Sequence, residues 1–372
     1  MSGPDPRARA DECLKLTSYF GERDRTEHRL LADELVDLYG RHELAVSVLL
    51  RGVEGFGLKH HLHTDRLLTL SEDLPVVSVA VDTRERIERA LPEVMAIKRR
   101  GLVTLERARL LSGRAQQGQH SALGGPPPDD LHEASKLTIY LGRQEQIGGA
   151  SAFVAVCALL HRRGLAGATV LLGVDGTLHG RRQRARFFGR NADVPLMLIS
   201  VGSSKQIASV LPELDSLLEA PLMTLERVRV CKRDGQLLER PHEVPGTDEH
   251  GLALWQKLMV HTSEAARAGE RPLHRELIRR LRRADVSGAT TVRGIWGFHG
   301  DHAPHGDRVL QLRRHVPVIT IVVDTPERIA GAFEIVDELT RERGLVTSEV
   351  VPAVAALLAD RRRGGLRLAR HS

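Results

Sequence analysis

The chain carries the same cassette three times, and this repetition limits its possible folds more than any other feature. The cassettes are RGVEGFGLKHHLHTDRLLTLSEDLPVVSVAVDT at residues 51–83, RGIWGFHGDHAPHGDRVLQLRRHVPVITIVVDT at 293–325 and a diverged copy, LGVDGTLHGRRQRARFFGRNADVPLMLISVGS, at 172–203. Self-similarity at a fixed long period is the signature of a repeat architecture. We therefore predict three copies of one unit in place of one large enzyme domain.

Landmarks that recur at nearly constant offsets fix the register of the copies. A lysine in the opening strand and two glycines of the cassette recur at offsets of 121 residues, and a proline recurs at offsets of 120 and 122. The landmarks are Lys15, Lys136 and Lys257; Gly52 with Gly55, Gly173 with Gly176, and Gly294 with Gly297; and Pro75, Pro195 and Pro317. The second copy has therefore lost one residue between its glycines and its proline.

Each copy follows the order strand, helix, strand, long loop, strand, helix, strand. Alternating and apolar runs predict the strands, and amphipathic runs predict the helices. In the first copy the strands are predicted at 14–20, 45–51, 76–81 and 106–111, and the helices at 27–39 and 83–100. This βαββαβ order is the ferredoxin-like arrangement of the α+β class. Because helices on one face leave the other face of each sheet uncovered, we predict an intramolecular pseudo-trimer whose sheets face its centre.

The connecting segments set the predicted domain boundaries. Stretches rich in Pro, Gly and polar residues, such as GGPPPDD and EVPGTDEHG, are typical of linkers. We place the repeats at residues 12–112, 135–232 and 254–354, the linkers at 113–134 and 233–253, and a basic tail at 355–372. The tail, with arginines at 361 to 363, is predicted to be a frayed helix.

Composition argues against several classes of protein. The three cysteines are far apart and form no CxxC pair, so neither a disulfide framework nor a zinc knuckle is predicted. The N-terminal segment has no apolar core and no run is long enough for a transmembrane helix, so we expect a cytoplasmic protein. The 54 basic residues are nearly balanced by 48 acidic ones and aromatics are scarce, which makes nucleic acid an unlikely partner.

A string of motifs resembles a known bacterial and archaeal family. The motifs are KLTSYFG, RGVEGFG, HTDRLL, LSEDLPVV, VDTRERI and GLVTLE, and all of them lie in the first copy. The chain resembles the PII-like domain of unknown function 190, an uncharacterised protein family, over essentially its whole length as three copies. This resemblance implies a PII-type ferredoxin-like fold, small effectors bound between units, and a long loop that reaches a partner protein. It also suggests a fluoride channel as one candidate partner.

The glycine-bearing segments are the candidate effector sites. Glycine lets backbone amides approach a phosphate or another anion closely, but a tight turn requires glycine equally well. The aromatic side chains could stack on a base, or they could cover the end of a sheet. The candidates are Gly52, Glu54, Gly55 and Phe56 in the first copy, and Gly294, Gly297 and Phe298 in the third.

The long loops of the first and third copies share a second group of residues. His60, His63, Asp65 and Arg66 recur at an offset of 242 as His302, His305, Asp307 and Arg308. The four histidines could bind zinc or copper, and Arg66 and Arg308 could bind an anionic effector. The alternative is a solvated polar loop. The second copy lacks the pattern, so the clefts between repeats are predicted to be inequivalent.

Two further residue pairs lie where the third strand runs into the second helix. Asp82-Thr83 and Asp324-Thr325 are predicted to cap these helices. Arg86 and Arg328 follow one turn later and could face a phosphate in a cleft.

The sequence shows no nucleophile with a base, no P-loop and no paired catalytic carboxylates, so we expect a protein that is not an enzyme. The leading hypothesis is a PII-like sensor or adaptor that binds a small anionic effector, such as a nucleotide, between repeats. Effector binding would order the long loops and change the affinity for a partner protein. The alternatives are a metal-binding protein that uses the loop histidines and an architectural fusion whose sites have decayed. No sequence motif indicates which cofactor, if any, the protein binds.

Overall fold

The computed structural model describes most of the three repeats. The described residues are 12–57, 62–64, 73–112, 133–178, 181–182, 194–219, 221–299, 304–306, 316–358 and 361–370.

The three repeats contain the same main elements in the same order. Repeat 1 consists of β1 (Glu12–Gly21), α1 (Leu31–Arg41), β2 (Val46–Phe56), β3 (Leu62–Thr64), β4 (Pro75–Thr83), α2 (Arg84–Ile97) and β5 (Arg100–Ser112). Repeat 2 consists of β6 (Glu133–Gly142), β7 (Gln146–Ile147), β8 (Ala150–Ser151), α3 (Ala152–Arg162), β9 (Gly167–Leu172), β10 (Asp175–Leu178), β11 (Arg181–Arg182), β12 (Pro195–Gly202), α4 (Ser204–Leu217) and β13 (Leu222–Arg233), followed by β14 (Gln236–Leu237). Repeat 3 consists of β15 (Trp255–Ser263), β16 (Arg267–Ala268), β17 (Arg271–Pro272), α5 (Leu273–Arg283), β18 (Ala289–His299), β19 (His305–Gly306), β20 (Pro317–Asp324), α6 (Pro326–Leu339), β21 (Leu345–Val351), β22 (Ala353–Leu358) and β23 (Arg361–Gly365).

Each repeat forms a four-stranded antiparallel sheet with two helices, so the chain is an α+β protein. The strand order is β5-β1-β4-β2 in repeat 1, β13-β6-β12-β9 in repeat 2 and β21-β15-β20-β18 in repeat 3. The strand that opens each repeat is thus central, and its first neighbours are the third and last strands.

Helices cover one face of each sheet. In α1, Leu31, Leu35 and Leu38 are buried at helical spacing, and the apolar side chains of β1 and β4 pack against them. The equivalent clusters in repeats 2 and 3 pack α3 with α4 and α5 with α6. None of the six described helices is both long and apolar enough to cross a membrane.

The opposite faces of the three sheets pack on one another. One apolar cluster contains Val79 of repeat 1, Met197 of repeat 2 and Ile321 of repeat 3, all of them at most 8% exposed. Each of these residues comes from the third strand of its repeat. Burial of these faces supplies the cover that four-stranded sheets with one-sided helices need.

The last strands of the repeats connect the sheets in a cycle. The end of β5 pairs with β13 of repeat 2, the end of β13 pairs with β21 of repeat 3, and β22 pairs with the start of β5. Nineteen described strands therefore belong to one hydrogen-bonded sheet.

The second strands extend further than the sequence predicted. The predicted strand in repeat 1 ended at residue 51, but β2 continues through the glycine-bearing segment to Phe56. The extension pairs with β18 of repeat 3, while β10 pairs with β2 and the end of β18 pairs with β9. These pairings form a second cycle between repeats, and a partner strand outside the repeat explains why local sequence did not reveal it.

The predicted helix in the basic tail is wrong. Residues Ala353–Leu358 and Arg361–Gly365 form an antiparallel hairpin, and its first strand pairs with β5. Ala353, Ala355 and Leu357 enter the apolar cluster of repeat 1. The first strand of the hairpin completes the edge of the sheet of repeat 1 by pairing with β5. This tertiary pairing outweighs the local preference of the segment for a helix.

Candidate functional site

Six buried charged side chains form a ring where the three repeats meet. Lys15, Lys136 and Lys257 lie on the central strands β1, β6 and β15, and Glu106, Glu226 and Glu349 lie on the last strands beside them. Each lysine contacts the glutamate of its own repeat at 3.0–3.2 Å and the glutamate of the next repeat at a shorter distance. Lysine and glutamate therefore alternate around a closed ring without net charge.

The ring favours the charged form of two of its glutamates although they are buried. Burial by itself opposes the charged form of Glu106 and Glu226, but the ring lysines outweigh it and hold the pKa of both carboxyl groups below the usual range. Ligand oxygens of the three glutamates lie within 4.8 Å of one another, a spacing that would suit a cation. Since lysine ammonium groups already occupy this space, the ring serves assembly of the repeats better than metal binding.

The predicted glycines lie in the strand extensions that join repeats. An added Cβ at Gly55 would lie 2.7 Å from the carbonyl oxygen of Ala289, and at Gly176 it would overlap the carbonyl oxygen of Ser47. The same crowding against a neighbouring repeat or the proline that starts the next strand occurs at Gly52, Gly173, Gly294 and Gly297. These glycines allow strands of different repeats to approach closely, which is a structural reason for their recurrence.

The two predicted aromatic residues are anchors between repeats. Phe56 is 3% exposed and enters the apolar cluster under the helices of repeat 3. Phe298 is 2% exposed and enters the cluster of repeat 2, where its ring meets His161 edge to face at 5.0 Å. Of the two, Phe56 also reaches the wall of a cleft described below.

The extended second strand of each repeat meets the first helix of a neighbouring repeat at a junction, and the three junctions differ chemically. Glu54 belongs to the first of them. It approaches Arg275 of α5 at 3.8 Å, so an acidic strand meets a basic helix. In repeat 2 the equivalent residue is Asp175, and Arg182 links it at 2.5 Å to the acidic helix α1, where it meets Asp33 at 3.0 Å.

The third junction is apolar. Trp296, the residue of repeat 3 equivalent to Glu54, packs its ring against Phe153 of α3 with the ring centres 6.4 Å apart. Each repeat thus meets the first helix of one neighbour through a different pair of side chains. The central ring is the same in all three repeats, whereas these junctions differ.

Arg86 and Arg328 support backbone turns. Arg86 donates to the carbonyl oxygen of Glu43 at 2.7 Å, and Arg328 donates to that of Asp285. Glu43 and Asp285 have φ values of 49° and 58°, a region that costs energy for residues other than glycine. In repeat 2, Gln206 makes the same bond to the carbonyl oxygen of Gly164. The equivalence across three repeats indicates a structural role.

The predicted capping role of Asp82 and Asp324 needs correction. The threonines at the N-cap positions of α2 and α6 make no side-chain cap, and a capping box is formed by Ser203 in repeat 2. Asp82 instead accepts from the backbone amides of Ala45 and Thr83, and Asp324 makes equivalent bonds. The carboxylates therefore tie the start of the second strand to the end of the third.

A cleft of about 360 Å³ lies between repeats 1 and 3. Repeat 1 contributes Phe20, Phe56 and Arg100, and repeat 3 contributes Ile321 and Leu357. Backbone at Gly21, Gly57, Gly101 and Gly288 also lines it. A concave, largely apolar surface with a few polar groups has the character of a small-molecule site. The sequence pointed to Phe56 but not to the rest of the wall, because these residues lie far apart in the sequence and come together only in the fold.

Four of the six remaining predicted binding residues lie outside the described part of the chain. His60, Arg66, His302 and Arg308 lie outside the described residues. His63 and His305 are described only as residues of the short strands β3 and β19. The metal hypothesis and the effector roles of the two arginines stay predictions.

Comparison with known proteins identifies the family. The family model DUF190, described as "Uncharacterized ACR", matches residues 13–110, 134–230 and 255–353. Because these matches cover well over half of the sequence, the chain belongs to the DUF190 family and contains three copies of its domain.

Individual relatives match one repeat length. The UPF0166 protein MJ1524 of Methanocaldococcus jannaschii is 27% identical over 103 residues, which are 27% of this chain and 94% of the relative. A UPF0166 protein of Aquifex aeolicus is 28% identical over 97 residues, which are 26% of this chain and 90% of the relative. A solved structure of CrmK, a flavoenzyme of caerulomycin biosynthesis, shows 13% identity and a TM-score of 0.19 over 81% of this chain and 56% of that one.

Proposed function

We propose that the chain is a single-chain, PII-like pseudo-trimer of ferredoxin-like repeats that acts as a non-enzymatic sensor. It binds a small anionic effector between repeats and presents its long loops to a partner protein. The strand order within each repeat and the two cycles of strand pairing between repeats support the architecture. Membership of the DUF190 family supports the repeat unit but names no effector.

The observation that carries the sensor proposal is the composition of the cleft walls. Phe56, Gly57 and Asp73 lie at the two ends of the long loop of repeat 1, and all three line the cleft. Ser287 and Thr290 of repeat 3 line the opposite side. An effector there contacts both ends of the loop and the neighbouring repeat at once. If the effector binds more tightly to one conformation of the long loop, its binding would favour that conformation. The affinity of the loop for the partner protein would then depend on whether the effector is bound.

One observation favours a purely architectural fusion as the second candidate. The recurring glycines and both predicted phenylalanines are used for contacts between repeats. In an architectural fusion, the repeats would keep their fold but would no longer bind a small molecule. The two candidates differ in whether any small molecule stabilises the native protein.

Thermal unfolding of the purified full chain with adenine and guanine nucleotides, cyclic dinucleotides and simple anions tests the sensor. A ligand that binds the native state raises the apparent stability, by about 2.7 kcal/mol at a concentration 100 times Kd. Limited proteolysis between Gly57 and Asp73 with and without the stabilising compound then tests coupling to the loop. A melting temperature that no compound changes would favour the architectural fusion.

A further inference from the structure

Lys98 is a buried lysine beside the cleft between repeats 1 and 3. It follows α2, is 2% exposed, and donates from Nζ to the carbonyl oxygen of Tyr19 at 2.9 Å. Its ammonium group also lies 4.8 Å from the centre of the Phe20 ring. One carbonyl oxygen and one aromatic face are few partners for three N–H donors.

The described residues compensate the charge of Lys98 poorly. The described residues place no carboxylate within 4.0 Å of its Nζ, in contrast to the ring lysines and to Lys232, which pairs with Asp337 at 2.6 Å. Burial lowers the pKa of Lys98 to about 7, and the more distant Asp24 only partly offsets this effect. A buried cation without a counter-ion is costly unless a ligand supplies the missing charge.

The ammonium group lies close to the inner wall of the cleft. A Cβ at Gly101 would be 3.1 Å from Lys98 Nζ, and Gly101, Tyr19 and Phe20 all line the cleft. Lys98 Nζ therefore lies beside three residues of the cleft wall, Tyr19, Phe20 and Gly101. Contact between Nζ and a bound molecule would require the Lys98 side chain to move from its bond with Tyr19 into the cleft.

The feature is confined to one of the three repeats. The residues that follow the second helices of repeats 2 and 3 are Leu218 and Thr340. Leu218 is buried and apolar, and Thr340 donates to the carbonyl oxygen of Val336 within its own helix. The second helix of a repeat therefore does not require a lysine at its C-terminus. The junction of repeats 1 and 3 differs from the others in this charge.

We infer that Lys98 binds the anionic group of a small ligand in the cleft between repeats 1 and 3. This inference rests on the proposed effector cleft and narrows its ligand to a flat apolar body with one anionic group. Phe56, Ile321 and Leu357 would contact the body, and Lys98 would bind a carboxylate or a phosphate ester.

The other charges of the cleft argue against a highly charged ligand. Arg100 adds a second cation to the wall, but Asp24 and Asp73 add two carboxylates. Both carboxylates are held by backbone amides, Asp24 by that of Gly21 at 3.1 Å and Asp73 by that of Arg23 at 2.6 Å. A triphosphate would face these acids, whereas a ligand with one anionic group can avoid them.

Paired anionic and neutral probes test the inference on the full chain. AMP and adenosine represent a phosphate ester and its neutral counterpart, and benzoate and benzyl alcohol do the same for a carboxylate. Thermal titrations are read against the ligand-free melting temperature of each variant. The variants are Lys98→Met, which is apolar, and Lys98→Gln, which keeps a donor for Tyr19. Arg99→Gln is the matched control, because it removes a cation one residue away whose side chain is 70% exposed.

We expect at least one anionic probe to bind the wild type more tightly than its neutral partner. Loss of a charge-assisted hydrogen bond should weaken that probe about 10- to 100-fold in both Lys98 variants and leave Arg99→Gln unchanged. Affinities that are equal in the wild type and the Lys98 variants would overturn the inference and leave an effector cleft in place. If none of the four probes affects the wild type, the inference is overturned, and the proposed cleft loses its support as well.

Discussion

Lys136 of repeat 2 donates to both carboxylate oxygens of Glu349 in repeat 3, each at 2.6 Å, and both side chains are almost fully buried. The same contact links repeat 1 to repeat 2 and repeat 3 to repeat 1. Buried charges stabilise a fold only when their partners are in place. The ring therefore penalises any arrangement in which one repeat is displaced from the other two.

Substitution of one ring glutamate tests this role. Glu226→Gln removes the charge that Lys15 and Lys136 share, and it should lower the free energy of unfolding by about 3–5 kcal/mol because two buried cations lose a partner. Denaturant titration followed by circular dichroism measures the change. Glu334→Gln is the control, since the pair of Glu334 with Arg240 is exposed to solvent and should contribute little to stability. Equal effects of the two variants would contradict the role of the ring.

Acid should weaken the same ring. The pKa values of Glu106 and Glu226 are lowered on folding, so the unfolded chain binds more protons as pH falls below the usual glutamate range near 4.3. Their stabilisation is complete above that range and is lost as pH falls toward the folded pKa values. Each proton changes the free energy of unfolding by about 1.4 kcal/mol per pH unit. Urea titrations between pH 7 and pH 3 should show a smaller acid loss in Glu226→Gln than in the wild type.

The sequence contained part of this information. Lys15, Lys136 and Lys257 recur at a constant offset inside strands that are otherwise apolar, and Glu106 and Glu226 end the segments LVTLE and LMTLE. A charged residue at a fixed place in an apolar strand is a signal for a partner. That the partner lies in the next repeat depends on how three sheets pack, and no local pattern encodes this.

The junction residues show the same limit more strongly. Order and type of the main elements followed from periodicity, but the extension of β2 beyond residue 51 did not, because its partner strand belongs to repeat 3. Gly55 and Phe56 were predicted to bind a ligand because glycine admits an anion and an aromatic ring can stack on a base. Their contacts with repeat 3 could not be read from the local sequence. Lys98 was missed because its proposed role depends on which described side chains surround its amine, and only three-dimensional contacts reveal these.

Loss of Arg182 should destabilise one junction selectively. Arg182 bonds to Asp33, Asp37 and Asp175 at once, and the three carboxylates would repel one another without it. Arg182→Met should cost about 1–3 kcal/mol, less than a fully buried pair because the side chain is 23% exposed. Asp175→Asn on the same background should recover part of the loss. Arg84→Met, which removes an exposed partner of Glu88, should change stability by less than about 0.5 kcal/mol.

Phe298 distinguishes a structural anchor from a stacking residue. Because its ring is buried in the apolar cluster of repeat 2, Phe298→Ala should lower the free energy of unfolding by about 3–5 kcal/mol. Leu237→Ala, at a side chain that is 44% exposed, provides the reference for a small effect. A cost below about 1 kcal/mol together with loss of nucleotide binding would show that the ring serves a ligand.

Two glycine substitutions should change stability in opposite directions. Gly176 lies where β10 pairs with β2 of repeat 1, and a Cβ there would overlap the carbonyl oxygen of Ser47, which the strand pairing holds in place. Gly176→Ala should therefore cost at least about 1–3 kcal/mol through overpacking. Gly331 lies on the exposed side of α6 with nothing within 4 Å of an added Cβ, so Gly331→Ala should stabilise by about 0.5–1 kcal/mol.

Denaturation midpoints of both glycine variants at one protein concentration measure the two effects. The comparison isolates contact between repeats, because both substitutions add one methyl group and reduce the freedom of the unfolded chain equally. If repeat 2 packed on repeat 1 in another way, Gly176 would have space for the methyl group. Gly176→Ala would then be neutral or stabilising like Gly331→Ala, and the strand cycle that defines the cleft would be wrong.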